Sequence, residues 1–141
     1  MSTLSAGYEL TFDRIDAVAA HAYLTRSYWS TGIPLATVER ALANSLAVAV
    51  WHEGTQLGLA RVVTDRATFA YLADVYVLEE HRGRGLSKAM VQALHDHADL
   101  QGLRRWSLFT LDAQSLYASL GWQPLAHPER AMERHFPDVY Q

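Results

Sequence analysis

Between Thr68 and Thr110 the hydrophobic period changes twice, and the order of those changes leaves few folds open. Thr68 to Val77 is a long strand-forming run. Leu78 to Gly85 is charged and contains glycine. From Leu86 the apolar residues recur at helical spacing, with Leu86, Ala89, Met90, Ala93, Leu94 and His97 on one face. Leu103 to Thr110 returns to strand composition. Strand, glycine turn, helix and strand make a βαβ crossover, so the two strands are expected to be parallel neighbours.

The rest of the chain is read around that unit. Tyr8 to Phe12 makes a short strand, and Asp13 caps a helix carrying Ile15, Val18, Ala19, Ala22 and Tyr23. Ser27 to Ile33 is a loop. Pro34 opens a second helix with Leu35, Val38, Leu42 and Leu46 on its apolar stripe. Leu46–His52 and Leu57–Thr64 are strands joined by a hairpin turn at Glu53-Gly54-Thr55-Gln56, and Asp65-Arg66-Ala67 turns the chain into the strand beginning at Thr68. Asp112 is expected to cap a short helix with Ala113, Leu116, Tyr117 and Leu120 inward, ended by Gly121. Trp122–Leu125 and Ala131–His135 are read as late strands. The order predicts a mixed α/β (α+β) fold: a mostly antiparallel sheet of six to seven strands with one parallel pair, flanked by about four helices. No repeat or linker divides the 141 residues, so residues 1–141 are treated as one domain.

Composition removes several function classes. The formal charge is −3, against the basic excess of a nucleic-acid-coating protein. There is no cysteine, hence no disulfide, thiolate metal site or cysteine nucleophile. The first ten residues carry no Lys or Arg, and the longest apolar run, Leu46 to Trp51, is far short of the ~20 residues that span a bilayer. A cytoplasmic protein acting without membrane or nucleic acid is the expectation. His95 and His97 are two apart, so a helix would send them to different faces, and no metal site is expected.

The chemistry concentrates in the turn His81-Arg82-Gly83-Arg84-Gly85-Leu86-Ser87-Lys88. A helix N-terminus leaves backbone N–H groups unpaired and carries about half a positive charge. Gly83 and Gly85 allow close backbone approach, and Arg82 and Arg84 add charge, so the turn suits a pyrophosphate. It lacks the Walker G-x-x-x-x-G-K-[ST] pattern, and a dinucleotide fingerprint would need a third glycine where Lys88 stands. A solvated loop with exposed arginines is the plain structural alternative.

Arg82-x-x-Gly85-x-Ser87 resembles the Q/R-x-x-G-x-G/A signature of the GNAT superfamily of acyl-CoA-dependent N-acetyltransferases. Val75-Tyr76-Val77 is similar to that family's fourth strand. Ala113-Gln-Ser-Leu116-Tyr117-Ala-Ser-Leu120-Gly121-Trp122 is similar to its A-x-x-L-Y-x-x-x-G-F element. The resemblance covers roughly residues 46 to 125; Ser87 departs from the usual Gly or Ala. It implies an acetyl-CoA cleft at the parallel strand pair, with pyrophosphate on the backbone of Arg82, Gly83, Arg84, Gly85, Leu86 and Ser87 and with Lys88 nearby. It also implies pantetheine pairing along Val75 and Val77, and Thr110 where the family often has an Asn.

By the same resemblance Tyr117 is the acid that protonates the departing thiolate; a core tyrosine is the alternative. For the base, Asp74 and a water chain both stay open, and Asp74 reads equally well as a paired structural carboxylate. Simple alternation puts Asp74 on the face of Leu72 and Tyr76, opposite Val75 and Val77. Tyr28 and Trp29 fall in the loop that lines the acceptor cleft in the resembling family. The function implied is direct acetyl transfer to a primary amine of a small molecule or protein, with a homodimer expected. The alternatives are a non-catalytic acyl-CoA sensor or interaction module on the same fold, and a nucleotide-binding regulator.

Overall fold

The computed structural model describes residue 4 and residues 6–141. Among the described residues it holds five strands and four α-helices: β1 (Tyr8–Thr11), α1 (Ala17–Leu24), α2 (Leu35–Ala43), β2 (Leu46–His52), β3 (Thr55–Thr64), β4 (Phe69–Val77), α3 (Leu86–Asp96), β5 (Arg105–Ser107) and α4 (Gln114–Ala118). The sheet order is β1-β2-β3-β4-β5. The pairs β1–β2, β2–β3 and β3–β4 are antiparallel, and β4–β5 is parallel. The crossover therefore has the expected form.

Local chemistry sets these elements. Glu53 and Gly54 have φ of 50° and 78°. Between His52 and Thr55, which pair across the hairpin, they form a two-residue turn whose twist matches its strands. The cap of α1 is Asp16 rather than Asp13: its Oδ1 accepts from the N–H groups of Val18 and Ala19 at 3.0 and 3.1 Å. The helix starts later than Asp13 because Asp16 is also held from outside. Gln56 Oε1 accepts from its N–H at 2.7 Å, and Gln56 Nε2 donates to its carbonyl at 3.0 Å.

Two apolar layers sandwich the sheet. On one face Val48, Val50, Ala60, Val62 and Leu72 pack under Leu86, Met90, Val91 and Leu94 of α3. On the other, Ala47, Ala49, Leu59 and Tyr76 lie beneath Ala20 and Leu24 of α1 and Val38 of α2. Each fully buried aliphatic side chain contributes on the order of 1.5–3 kcal/mol. Gly58 lets α3 approach: a Cβ there would stand 3.2 Å from the Tyr76 carbonyl oxygen and 3.3 Å from Met90 Cε.

One irregularity matters for function. Leu59 pairs with Tyr76 but Arg61 pairs with Ala73, so Asp74 and Val75 oppose Ala60 alone. Asp74 sits in this bulge with φ of 55°. The extra residue reverses the alternation: Leu72 faces α3, whereas Tyr76 faces α1 and α2. The expectation that Leu72 and Tyr76 share a face is corrected accordingly.

The strand count is also corrected. The expected strands Trp122–Leu125 and Ala131–His135 do not form; both stretches lie outside any ladder, with a single 3₁₀ turn at Pro128–Arg130 between them. The Trp122 N–H is spent on the Tyr117 carbonyl, and Pro124 has no N–H to give a ladder. The expected strand Leu103–Thr110 is reduced to Arg105–Ser107, paired to Phe69–Tyr71. Beyond Tyr71 the added twist of the bulge takes β4 away from its neighbour.

Tyr76 carries the one buried side-chain polar atom without a hydrogen-bond partner among the described residues. Its hydroxyl is only 3% exposed as a residue, and burial pushes its ionisation far above the usual phenol range. The nearby Gln56 amide spends both polar atoms on Asp16. Tyr76→Phe is therefore expected to leave stability unchanged or raise it by up to about 1 kcal/mol in thermal melting. No helix of the described residues is long and apolar enough to cross a membrane.

Candidate active site

The β4–β5 pair opens after Tyr71 and Ser107, leaving the later half of β4 with a free edge on that side. That edge leads to a cavity of about 250 Å³ lined by Val77, His81, Arg82, Gly83, Gly85, Leu86, Ser87, Lys88 and Leu116. Seven of the residues expected at a cofactor thus meet around one space: Val77, Arg82, Gly83, Gly85, Leu86, Ser87 and Lys88.

The floor of that space is the start of α3. Gly85 is its N-cap, with φ of 75° and no side-chain cap. The first intrahelical bond runs from Ala89 N–H to the Gly85 carbonyl, so the N–H groups of Leu86, Ser87 and Lys88 precede it. Gly83 also has a positive φ, 80°, and a Cβ on either glycine would meet no atom within 4 Å. Space, donors and dipole converge there, the combination that receives a phosphate group.

Arg82 lines the cavity with its guanidinium already engaged: its Nε donates to the Val77 carbonyl at 2.9 Å and an Nη to the Tyr23 hydroxyl at 3.2 Å. The other expected residues take different places. Arg84 does not line the cavity; its guanidinium lies over the Tyr8 ring, 5.6 Å from the centroid. Val75 is half-buried on β4, packed against the α3-side core. Thr110 Oγ1 accepts from the Ala113 N–H at 3.1 Å at the start of α4. That is the role expected of Asp112, which makes no side-chain cap there: the α4 N-cap is Ala113.

Tyr117 is buried on α4, its ring edge-on to Trp122 at 5.9 Å. Burial, reinforced by the neighbouring Tyr28, pushes its phenol up to about 12. Trp122 is itself fixed by donating from its indole N–H to His95 Nε2 at 3.1 Å. His97 Nδ1 accepts from the Asp99 N–H, so both histidines serve structural bonds. Among the described residues no group of three His, Asp or Glu gathers as a metal site.

Asp74 lies on the opposite side of β4. Its Oδ1 accepts from Trp29 Nε1 at 2.9 Å and its Oδ2 from Arg61 Nε at 2.9 Å. Arg61 also donates to Ser45 Oγ at 3.1 Å. Tyr28 joins the two walls of the opening: its hydroxyl accepts from the Leu111 N–H at 3.4 Å. The structure therefore brings Asp74 and Trp29 into direct contact, with Tyr28 against Trp29 at 5.1 Å between centroids. The end of the chain packs on the same loop, where a Cβ at Gly32 would stand 3.0 Å from the Tyr140 carbonyl oxygen.

Sequence reasoning missed Arg61, Tyr71, His81 and Phe109. Arg61 interrupts the apolar run of β3 as Asp74 interrupts that of β4, and opposite charges in consecutive apolar strands are a usable pairing signal. His81 shares a 2.8 Å hydrogen bond with the Tyr8 hydroxyl, a contact across 73 residues with no local signature.

The sequence matches the model of the acetyltransferase (GNAT) family over residues 13–122. A candidate acetyltransferase from Gibberella zeae is 32% identical over 125 aligned residues, covering 74% of this chain and 70% of that protein. The crystal structure of a candidate GNAT acetyltransferase from Xanthomonas campestris pv. campestris is 47% identical, with a TM-score of 0.91 over 94% of this chain and 96% of that one. N-acetylglutamate synthase from Neisseria gonorrhoeae, crystallised with coenzyme A and N-acetyl-glutamate, shares the fold at 17% identity. Its TM-score is 0.70 over 96% of this chain and 31% of that one. With its family match spanning most of its length, the chain belongs to the GNAT family of acetyltransferases.

Proposed function

We propose that this protein is an acetyl-CoA-dependent N-acetyltransferase that passes the acetyl group directly to a primary amine in a ternary complex. The observation that carries this reading is the cavity that joins the Gly83–Lys88 turn to Val77, at the unpaired end of β4, and to Leu116, the residue beside Tyr117 on α4. The turn receives the pyrophosphate, and Val75 and Val77 offer backbone groups to the pantetheine arm as a strand edge would. Lys88 lines that cavity, and Thr110 stands at the start of α4, the helix that carries Tyr117.

The chemistry follows from the two sides of the bulge. A lysine-like amine has a pKa of about 10.4 and must shed a proton before it attacks. Asp74 presents the carboxylate that draws the ammonium in, and the proton leaves through water because Trp29 and Arg61 already occupy one carboxylate oxygen each. The nitrogen lone pair forms the new C–N bond, and the carbonyl becomes an oxyanion beside the bulge backbone, where an N–H is left outside the ladder. Collapse breaks the C–S bond. The thiolate takes the proton that Tyr117 offers, and the second proton shed by the nitrogen is returned through water to Tyr117.

Calorimetric titration tests the cofactor half of this reading. Acetyl-CoA and CoA are expected to bind, with ATP and NAD far weaker; equal binding of ATP or NAD would favour a nucleotide-binding regulator instead.

The homodimer rests on a separate observation. Leu125, Met132, Phe136 and Val139 stand exposed in a C-terminal stretch that forms no strand, an apolar surface of the kind that marks an interface. Light scattering is expected to give twice the chain mass; a monomer at micromolar concentration would contradict it.

A further inference from the structure

We propose that the acceptor is a small primary amine carried on an uncharged, apolar or aromatic body, held at the mouth formed by Tyr28, Trp29, Tyr71, Phe109 and Leu111 over the Asp74 carboxylate. This inference rests on the acetyltransferase reading and names the substrate class of that site.

The mouth is apolar where a soluble surface usually is not. Tyr28 is 62% exposed, Trp29 40%, Phe109 77% and Leu111 71%, and the Leu111 N–H donates to the Tyr28 hydroxyl. Tyr28 sits edge-on to Trp29 at 5.1 Å, and Phe109 lies 6.1 Å from the half-buried Tyr71 ring on the other wall. One pair includes Trp29, which donates to Asp74, and the other includes Tyr71, whose phenol is raised by burial and by the Asp74 charge. Aromatic faces and a carboxylate together suit an ammonium group attached to an apolar body.

The arginines around Asp74 are already engaged, which disfavours an anionic acceptor. Arg61 and Asp74, with side chains only 15% and 13% exposed, are joined by one nitrogen and one carboxylate oxygen. Arg61 also donates to Ser45, so it is not free to take a substrate carboxylate or phosphate. The neighbouring cations are engaged elsewhere: Arg26 lies over the Tyr23 ring at 4.6 Å, and Arg82 donates to the Tyr23 hydroxyl and the Val77 carbonyl. No guanidinium points into the mouth from these positions. The Tyr28–Leu111 hydrogen bond joins residues 83 apart and closes the walls above the opening, which favours a small molecule over an extended peptide.

An n-alkylamine series from propyl to heptyl, with phenethylamine, ethanolamine, glutamate, an amino-sugar phosphate and a lysine peptide, tests the proposal by steady-state kinetics. Expected is a rise in kcat/KM of about tenfold for every two methylenes added until the mouth is filled. Phenethylamine should be a good acceptor, and the charged or hydroxylated amines poor ones. Phe109→Lys removes one ring and adds a repelling charge, so the KM for hexylamine should rise about tenfold or more. The kcat, the KM for acetyl-CoA and the melting temperature should be unchanged. A flat alkyl series, with glutamate, the sugar phosphate or the peptide as the best acceptor, overturns this inference and leaves the acetyltransferase reading standing. Acetyl-CoA binding with no acetylation of any amine overturns the acetyltransferase reading itself, and this inference with it.

Discussion

Replacing Tyr117 with phenylalanine is expected to slow acetyl transfer by about 100- to 10,000-fold while leaving acetyl-CoA affinity nearly unchanged. The substitution removes one oxygen and keeps the ring that packs against Trp122. Thermal stability should therefore stay within about 1 kcal/mol of the parent. The large kinetic effect comes from the leaving group: without a donor, the thiolate must depart unprotonated. Burial, with Tyr28 beside it, holds the phenol up to about 12. Because burial disfavours the phenolate, Tyr117 stays protonated through neutral and mildly alkaline pH. The rate should rise with pH as the amine loses its proton, and no fall from Tyr117 should appear below about pH 11, one unit under its ionisation. A Tyr117→Phe protein that turns over at the parent rate would remove Tyr117 from the chemistry and leave it a core residue.

Ser87→Asp should separate cofactor binding from folding more sharply than any other change in the turn. Ser87 is the second residue of α3, where an acidic side chain faces the positive end of the helix dipole and contributes about 0.3–1 kcal/mol to the helix. The melting temperature should hold or rise. The same carboxylate would stand against the pyrophosphate. Two unit charges about 4 Å apart repel by roughly 4 kcal/mol at an effective dielectric of 20, so acetyl-CoA affinity should fall about 100-fold or more. Ser87→Ala is the control and should bind close to the parent. Undiminished binding by Ser87→Asp would move the pyrophosphate away from this turn.

The features legible in the sequence are those written in contiguous residues. The run from Tyr71 to Lys88 carries a strand, a glycine turn and a helix start within reach of one another, and the structure holds them in that order around one cavity. The Glu53-Gly54 hairpin and the apolar face of α3 are local in the same sense. What could not be read depends on partners distant in the chain. The bulge at Asp74 arises from the register between β3 and β4, which alternation along β4 alone does not encode. Its consequence, the opposite facing of Leu72 and Tyr76, follows only once that register is known.

The same distinction explains the site residues. Arg61 and Trp29 reach Asp74 from 13 and 45 residues away, and both contacts are properties of the folded sheet and loop. Asp16 displaced Asp13 as the α1 cap because Gln56, 40 residues on, fixes its backbone. The stretches Trp122–Leu125 and Ala131–His135 have strand-like composition but join no ladder of the sheet. Strand composition expresses a tendency to pair, and pairing needs a neighbour.

The most direct measurement follows acetyl-CoA and hexylamine together by mass spectrometry, with the intact protein weighed in the same samples. With no cysteine in the chain to carry an acetyl group as a thioester, one N-acetylated amine should form for every CoA released. The protein mass should stay constant whether or not the amine is present. Release of CoA without acetylated amine, or a protein species that gains an acetyl group and then loses it to the amine, would contradict direct transfer at this cleft.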